Sequence, residues 1–179
     1  IKFNTIDDYK DIESISMFYQ IKNNGGDLNA FLDAQKISAR DNGRTPFQWD
    51  DSANAGFSNA TPWIKVNPAY TSVNVAAEEN DPNSCLNYFR RAVQLRKNNL
   101  ILVYGKYTLV DRANPKVYAY TREQNGKKLL IALNFSKDAA TFNAGYALGK
   151  ATVLLGNYPS SSTDGTLKPY EAVVYQLND

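Results

Sequence analysis

The chain has 179 residues, 43% hydrophobic and 21% charged, with a formal net charge of +2. That balance is an ordinary globular one, and it gives no electrostatic reason to expect nucleic acid or an acidic membrane surface as a partner. One cysteine excludes an internal disulfide, and the lack of any histidine excludes Ser-His-Asp and Cys-His catalysis and the usual zinc sites.

Any chemistry must therefore use carboxylates, tyrosine, lysine or arginine. No apolar run approaches the roughly 20 residues that span a bilayer, and "IKFNTIDDYK" lacks the charge-then-apolar pattern of a signal peptide. Residue 1 is isoleucine with no methionine before it, so the chain is expected to be a piece of something longer.

Residues 6 to 24 read as a helix, with Ile6, Tyr9, Ile12, Ile15 and Tyr19 near helical spacing and Asp7 and Asp8 in the first turn. "NNGG" at 23–26 stops it. A second helix is predicted from Asp27 to about Ser38. Residues 39 to 82 hold four prolines and no sustained period, yet Phe47, Trp49, Phe57, Trp63 and Tyr70 argue against disorder. After Pro82 comes the clearest helix, residues 84–99, with Asn83 or Ser84 as cap. Cys85, Tyr88, Phe89, Ala92 and Val93 share one face of it, so a buried thiol is expected at Cys85.

Beyond about Leu102 the pattern becomes that of strands: "YGKYTLV" (104–110), "VYAYTR" (117–122), "KLLIALNF" (128–135), "ATVLLGN" (151–157) and "EAVVYQL" (171–177). Asn125-Gly126 is a hairpin signal. Alternation makes Val117, Ala119, Leu129, Ile131, Leu133, Val153, Leu155, Val173 and Tyr175 the core candidates. The chain thus reads as α+β. Residues 1–102 form a helix-and-loop half, and residues 103–179 form an antiparallel β-sandwich. Helices with one apolar stripe and no sheet of their own look like a layer of a larger body, and exposed apolar helix faces are expected.

The stretch that invites a function is "RDNGRTPFQWDDSANAGF", residues 40–57. Asp50, Ser52 and Asn54 alternate like the start of a calcium loop, but Ala55 and Thr61 occupy positions where that loop needs glycine and glutamate. "GYALGK" (145–150) is one residue short of a phosphate loop. Asp50 and Asp51 make a poor catalytic pair, because adjacent side chains diverge; a capping or solvated role suits both. The loop as a whole offers planar guanidinium donors from Arg40 and Arg44, acceptors from Asp41 and Asn42, and the flat faces of Phe47, Trp49, Phe57 and Trp63. Such a set suits a sugar. It equally suits a loop paired within itself, with an arginine bridged to Asp41, Asp50 or Asp51, and composition alone favours that alternative.

The motif "RDNGRTPFQWDDSANAGF", with "TPWIKVNPAYTSVNV" and "DPNSCLNYFRRAVQLRKNN", resembles the C-terminal part of the oligo-1,6-glucosidases, an α-glucosidase branch of the α-amylase superfamily. "KFNTIDDYKDIESISMFY" resembles the segment after their last barrel strand, and "LVYGKYTLV", "LLIALNF" and "LKPYEAVVYQL" their C-terminal β-domain. The resemblance implies the tail of a (β/α)8 barrel, ending in the helix 84–99, followed by an antiparallel β-sandwich. It implies an enzyme that hydrolyses terminal α-1,6 (or α-1,4) glucosidic bonds of short oligosaccharides with retention, whose catalytic carboxylates lie on strands that this chain does not contain.

By the same resemblance, Arg44 matches the arginine that holds the glucose at the non-reducing end. Arg40 matches the one near the substrate entrance, and Asp41 and Asn42 position them. Gly43 and Phe47 depart from the alanine or serine and the methionine common at those places. The chain alone is expected to be inactive, to need no cofactor or metal, and to pack on the missing barrel. Its partner is an oligosaccharide in a cytoplasmic parent enzyme, with no nucleic acid and no membrane. The alternatives are a non-catalytic carbohydrate-binding module and a fragment of a related transglycosylase or sucrose isomerase.

Overall fold

The structure, a computed structural model, describes residues 1–178. Contacts divide the chain into two compact units, Ile1–Pro82 and the remainder from Asn83 onward. That division lies upstream of the expected change at residue 103, because the helix after Pro82 packs in the same unit as the sheet.

In the first unit, the periodic run from Ile6 does not form one helix. A 3-10 turn covers Ile6–Asp8, Tyr9 is extended, and α1 spans only Ile12–Asn23. The break has a polar cause. The amides of Lys10 and Asp11 donate to the Asp41 carboxylate at 2.6 and 2.8 Å, which removes them from any helical ladder. Asp11 then caps α1, accepting the Glu13 amide at 3.3 Å. Helix α2 spans Leu28–Ser38, as expected, with Asp27 accepting the amides of Asn29 and Ala30.

Residues 39–82 follow as 3-10 turns at Arg40–Gly43, Ala53–Gly56 and Pro68–Thr71 and one short helix, α3 (Val75–Asn80), capped by Asn74. Backbone bonds from Val75 to Gln48 and from Ala76 to Trp49, both 3.0 Å, tie the loop to the start of α3. The unit's main buried cluster is small: Phe3, Tyr9, Ala39 and Ile64. It has no strand among the described residues. The expected exposed apolar faces are present, with Ile12 and Ile37 exposed by 73% and 86%.

In the second unit, α4 spans Cys85–Asn98 and is capped by Ser84, which accepts the Asn87 amide at 3.1 Å. No residue of α4 is buried. Cys85, expected to be a buried thiol, is exposed, as is Phe89. Periodicity marks which face of a helix is apolar, and nothing in this unit covers that face fully. A single turn, α5 (Ile101–Tyr104), leads into β1 (Lys106–Val110), β2 (Val117–Gln124), β3 (Lys127–Asn134), β4 (Ala140–Thr141), β5 (Thr152–Gly156), β6 (Thr166–Leu167) and β7 (Ala172–Leu177).

Five strands form an antiparallel sheet in the order β1-β2-β3-β7-β5, and β4 pairs with β6. Asn125 and Gly126 take φ values of 52° and 74°, the left-handed pair that a tight hairpin needs. Residues of β4 and β6, with Phe142 and Leu148, close one face over Val117, Ala119, Leu130, Ala132, Val173 and Tyr175. Ile101 packs with Leu129 and Ile131 on the other. Of the core candidates, Leu133 and Leu155 are half-buried and Val153 is 39% exposed. The register of edge strand β5 shifts between Val153 and Leu155, so alternation fails there and Leu154 joins the Ile101 cluster instead.

Candidate functional site

The site residues expected from the sequence all fall in the turn that follows α2, inside the first unit. Asp41 is its anchor. The side chain is fully buried, and its Oδ2 accepts the two backbone amides of Lys10 and Asp11. Oδ1 accepts from Arg44 Nη1 at 3.2 Å. A buried carboxylate costs several kcal/mol when unpaired; three donors from two chain segments offset that cost here. Asn42 works on the helix, not the arginines: its Nδ2 donates to the carbonyls of Gln35 and Lys36 at 3.2 and 3.3 Å, closing the open end of α2.

The two arginines differ sharply. Arg40 is committed: Nε and Nη2 both donate to Asp11, each at 2.8 Å, and Nη2 also reaches Glu13 at 2.7 Å. This fork-to-carboxylate geometry is the strongest pairing open to arginine. The hydrogen bond from Arg40 holds the Asp11 carboxyl below the usual carboxylate range, and the same bond raises the Arg40 guanidinium. Arg44 makes one side-chain hydrogen bond, to Asp41; its next carboxylate, on Asp11, is 3.9 Å away. The remaining Arg44 donors have no partner among the described residues, and the side chain is 41% exposed. The two arginines thus pair with Asp11, Glu13 and Asp41, and neither uses Asp50 or Asp51.

Downstream, the aromatics stand out of the surface. Phe47 and Trp49 meet edge to face at 4.7 Å, both about half exposed, and Phe57 and Trp63 are exposed too. Asp50 folds its own loop. It accepts the Ser52 amide at 2.9 Å and the Ser52 hydroxyl, and these bonds lower its pKa. Asn54, Ala55 and Gly56 are left-handed in succession, with Ala55 fully buried. At Gly56 a Cβ would stand 2.6 Å from Asp50 Oδ1, which explains glycine at this place. An open cleft of about 550 Å³ lies beside this turn, lined by Asp50, Ser52, Asn54 and Phe57 among others. Arg44 lines neither this cleft nor its smaller neighbour of about 370 Å³ beneath Trp63.

Chemically the turn offers arginine donors and exposed aromatic faces. Each carboxylate of the unit with a displaced pKa (Asp8, Asp11 and Asp50) moves down, toward the permanently charged form. A general acid needs the opposite shift. Among the described residues no group of three or more acidic, cysteine or histidine side chains could hold a metal ion, and no helix is long and apolar enough to cross a membrane. The residue that sequence reasoning missed is Asp11. Its signal, an aspartate directly before an isoleucine-led helix, was masked by the aspartates at 7 and 8.

Comparison with known proteins fits this geometry. The family model for the alpha amylase catalytic domain matches residues 8–105, and that for the maltogenic amylase C-terminal domain matches residues 107–174. The chain is 39% identical to the oligo-1,6-glucosidase of Parageobacillus thermoglucosidasius over 99% of its own length and 33% of that protein. The crystal structure of trehalose-6-phosphate hydrolase from Bacillus licheniformis superposes with a TM-score of 0.89 at 34% identity, covering 99% of this chain and 33% of the other. Isomaltulose synthase from Klebsiella sp. LX3 gives 0.87 at 33% identity, over 98% and 33%. The chain therefore spans about a third of the length of the curated relatives it matches. With a catalytic-domain tail, a C-terminal β-domain and a resemblance that runs its whole length, the chain belongs to the α-amylase family.

Proposed function

We propose that the chain is the C-terminal part of a retaining α-glucosidase of the oligo-1,6-glucosidase type. In this reading residues 1–102 complete the catalytic (β/α)8 barrel and residues 103–179 are its C-terminal β-domain. The parent hydrolyses terminal α-1,6 or α-1,4 bonds of short oligosaccharides by the two-carboxylate route, with nucleophile and acid/base residue upstream of this chain. Arg44 donates to sugar hydroxyls, Asp41 aims it, Asn42 fixes the turn that carries both, and Arg40 stiffens the rim of the entrance. The exposed apolar helix faces pack on the upstream barrel. A lone exposed thiol, Cys85, suits a reducing cytoplasm.

One observation carries the reading: Arg44 is gripped at a single nitrogen by a buried carboxylate and keeps its other donors free. Arg40, by contrast, holds the carboxylates of Asp11 and Glu13 through both Nε and Nη2. The test is hydrolysis of a chromogenic α-glucoside and of isomaltose by the 179-residue chain and by the same chain extended upstream to the length of its relatives. No turnover by the first and turnover by the second is the expected result. Turnover by the short chain above a mock preparation would mean that its own aspartates do the chemistry, and the reading would fall.

The likeness to isomaltulose synthase supports a second reading, in which the parent isomerises sucrose. Products formed from sucrose separate the two: free glucose and fructose for the hydrolase, a rearranged disaccharide for the isomerase.

A further inference from the structure

Asp11 lies 29 residues before Arg40, outside the loop motif, on the segment that starts α1. It is only 5% exposed, yet it touches every charged member of the site. Its Oδ2 and Oδ1 take the two prongs of Arg40, the same Oδ1 lies 3.9 Å from Arg44 Nη1, and its backbone N–H donates to Asp41. Helix capping alone would not require this. A cap needs one acceptor, the capping bond is the longest of its hydrogen bonds at 3.3 Å, and asparagine caps as well as aspartate.

The charges explain what the aspartate adds. Arg40 and Arg44 stand close enough to share one carboxylate oxygen, and two guanidinium groups so placed repel unless an anion lies between them. Asp41 neutralises one. The other facing carboxylate, Glu13, is 64% exposed and reaches only Arg40. Among the described residues, Asp11 is the buried carboxylate that lies within 4 Å of both guanidinium groups, at 2.8 Å from Arg40 and 3.9 Å from Arg44.

We propose that Asp11 is a positioning residue for sugar binding: by holding Arg40 flat and balancing the pair of positive charges, it keeps Arg44 aimed with its free donors outward. The inference rests on the reading of Arg44 as a sugar contact. Asp11 itself touches no substrate.

The test is Asp11→Asn in the upstream-extended chain, alone and combined with Arg44→Ala. Asparagine keeps the cap and nearly the volume, and removes the charge together with one of the two acceptors that hold the Arg40 fork. The expected result is a loss of about tenfold in kcat/KM for isomaltose, the scale of a slightly misplaced contact, measured at a temperature where both proteins are fully folded, with a small fall in melting temperature. In the Arg44→Ala background the same substitution changes kcat/KM by less than about twofold, because nothing remains to be positioned. An unchanged kcat/KM for Asp11→Asn, or an equal loss in both backgrounds, overturns the proposal and leaves Asp11 a cap. If Arg44→Ala itself is without effect, the reading of Arg44 fails and this inference falls with it. Should Asp11→Asn not fold, Arg40→Gln removes the same fork from its other side, and the same dependence on Arg44 is required.

Discussion

The two units are built on different physics. From Asn83 onward the chain is organised by a sheet whose register places a run of side chains into one apolar core on each face. Before Pro82, four buried apolar residues form the main cluster, and the backbone is fixed largely by polar side chains: Asp11, Asp27, Asp41, Asn42 and Asn74 each hold main-chain groups. A sheet core uses its side chains up. A turn held by carboxylates and amides leaves others free, and that is where Arg44, Phe47 and Trp49 stand. On the function proposed above, binding chemistry falls to the unit that has less core.

The contrast can be broken or sharpened by substitution. The largest effect is expected for Leu130→Ala on β3, a fully buried side chain in the larger core. It should destabilise the sheet unit by about 2–5 kcal/mol, read from a denaturant melt of its β signal. A loss below about 1 kcal/mol would mean that the core is far looser than its burial implies. In the first unit, Asp41→Ala strips the acceptor from two backbone amides and from Arg44, at about 1–3 kcal/mol. Hydrogen exchange at Lys10 and Asp11 should accelerate markedly; unchanged protection would show that another group satisfies them. Gly56→Ala meets both a positive φ of 65° and the Asp50 carboxylate, and should cost about 1–2 kcal/mol. Weaker protection of the loop around Asp50, with the sheet melt untouched, is the check.

The smallest effects concern pH, and here the signs differ. Asp11 is held below its ordinary 3.8, chiefly by the hydrogen bond from Arg40, so the unfolded chain binds its proton more tightly. The stability it supplies is present above the ordinary carboxylate range and lost as pH falls through the depressed value. Tyr175, in the sheet core, is pushed up from 10.0 to about 12 by burial, with Glu171 and Asp164 adding to it. Its contribution is present below pH 10 and lost as pH rises through about 12. A carboxyl-carbon titration of Asp11 and the tyrosinate absorbance of the folded chain measure the two directions. The division is not absolute, since burial also pushes up Tyr9 in the first unit.

How much of this was legible depends on the range of the interaction. Local signals held: Asp27 before α2, Ser84 before α4, and Asn125-Gly126 between β2 and β3 are each decided within a few residues. The helix predicted from Ile6 failed because its period continues through Tyr9, while the break is imposed by Asp41, some thirty residues on. Val153 failed because alternation cannot foresee a shifted register on an edge strand. In the site, Arg40, Asp41, Asn42 and Arg44 were legible as a motif, but which carboxylate each arginine pairs with was not. Only the fold shows that Arg40 takes a two-pronged pair with Asp11 while Arg44 holds Asp41 through one nitrogen.

Both tryptophans of the chain, Trp49 and Trp63, are exposed and lie in the loop of the first unit; the sheet unit has tyrosines and phenylalanines but no tryptophan. Indole emission is therefore a private optical channel for that loop. A sugar that stacks on it should shift or quench this light, while a sheet that unfolds by itself leaves the indoles in the water that already surrounds them. One sample and two excitation wavelengths can then follow occupancy and unfolding as separate signals.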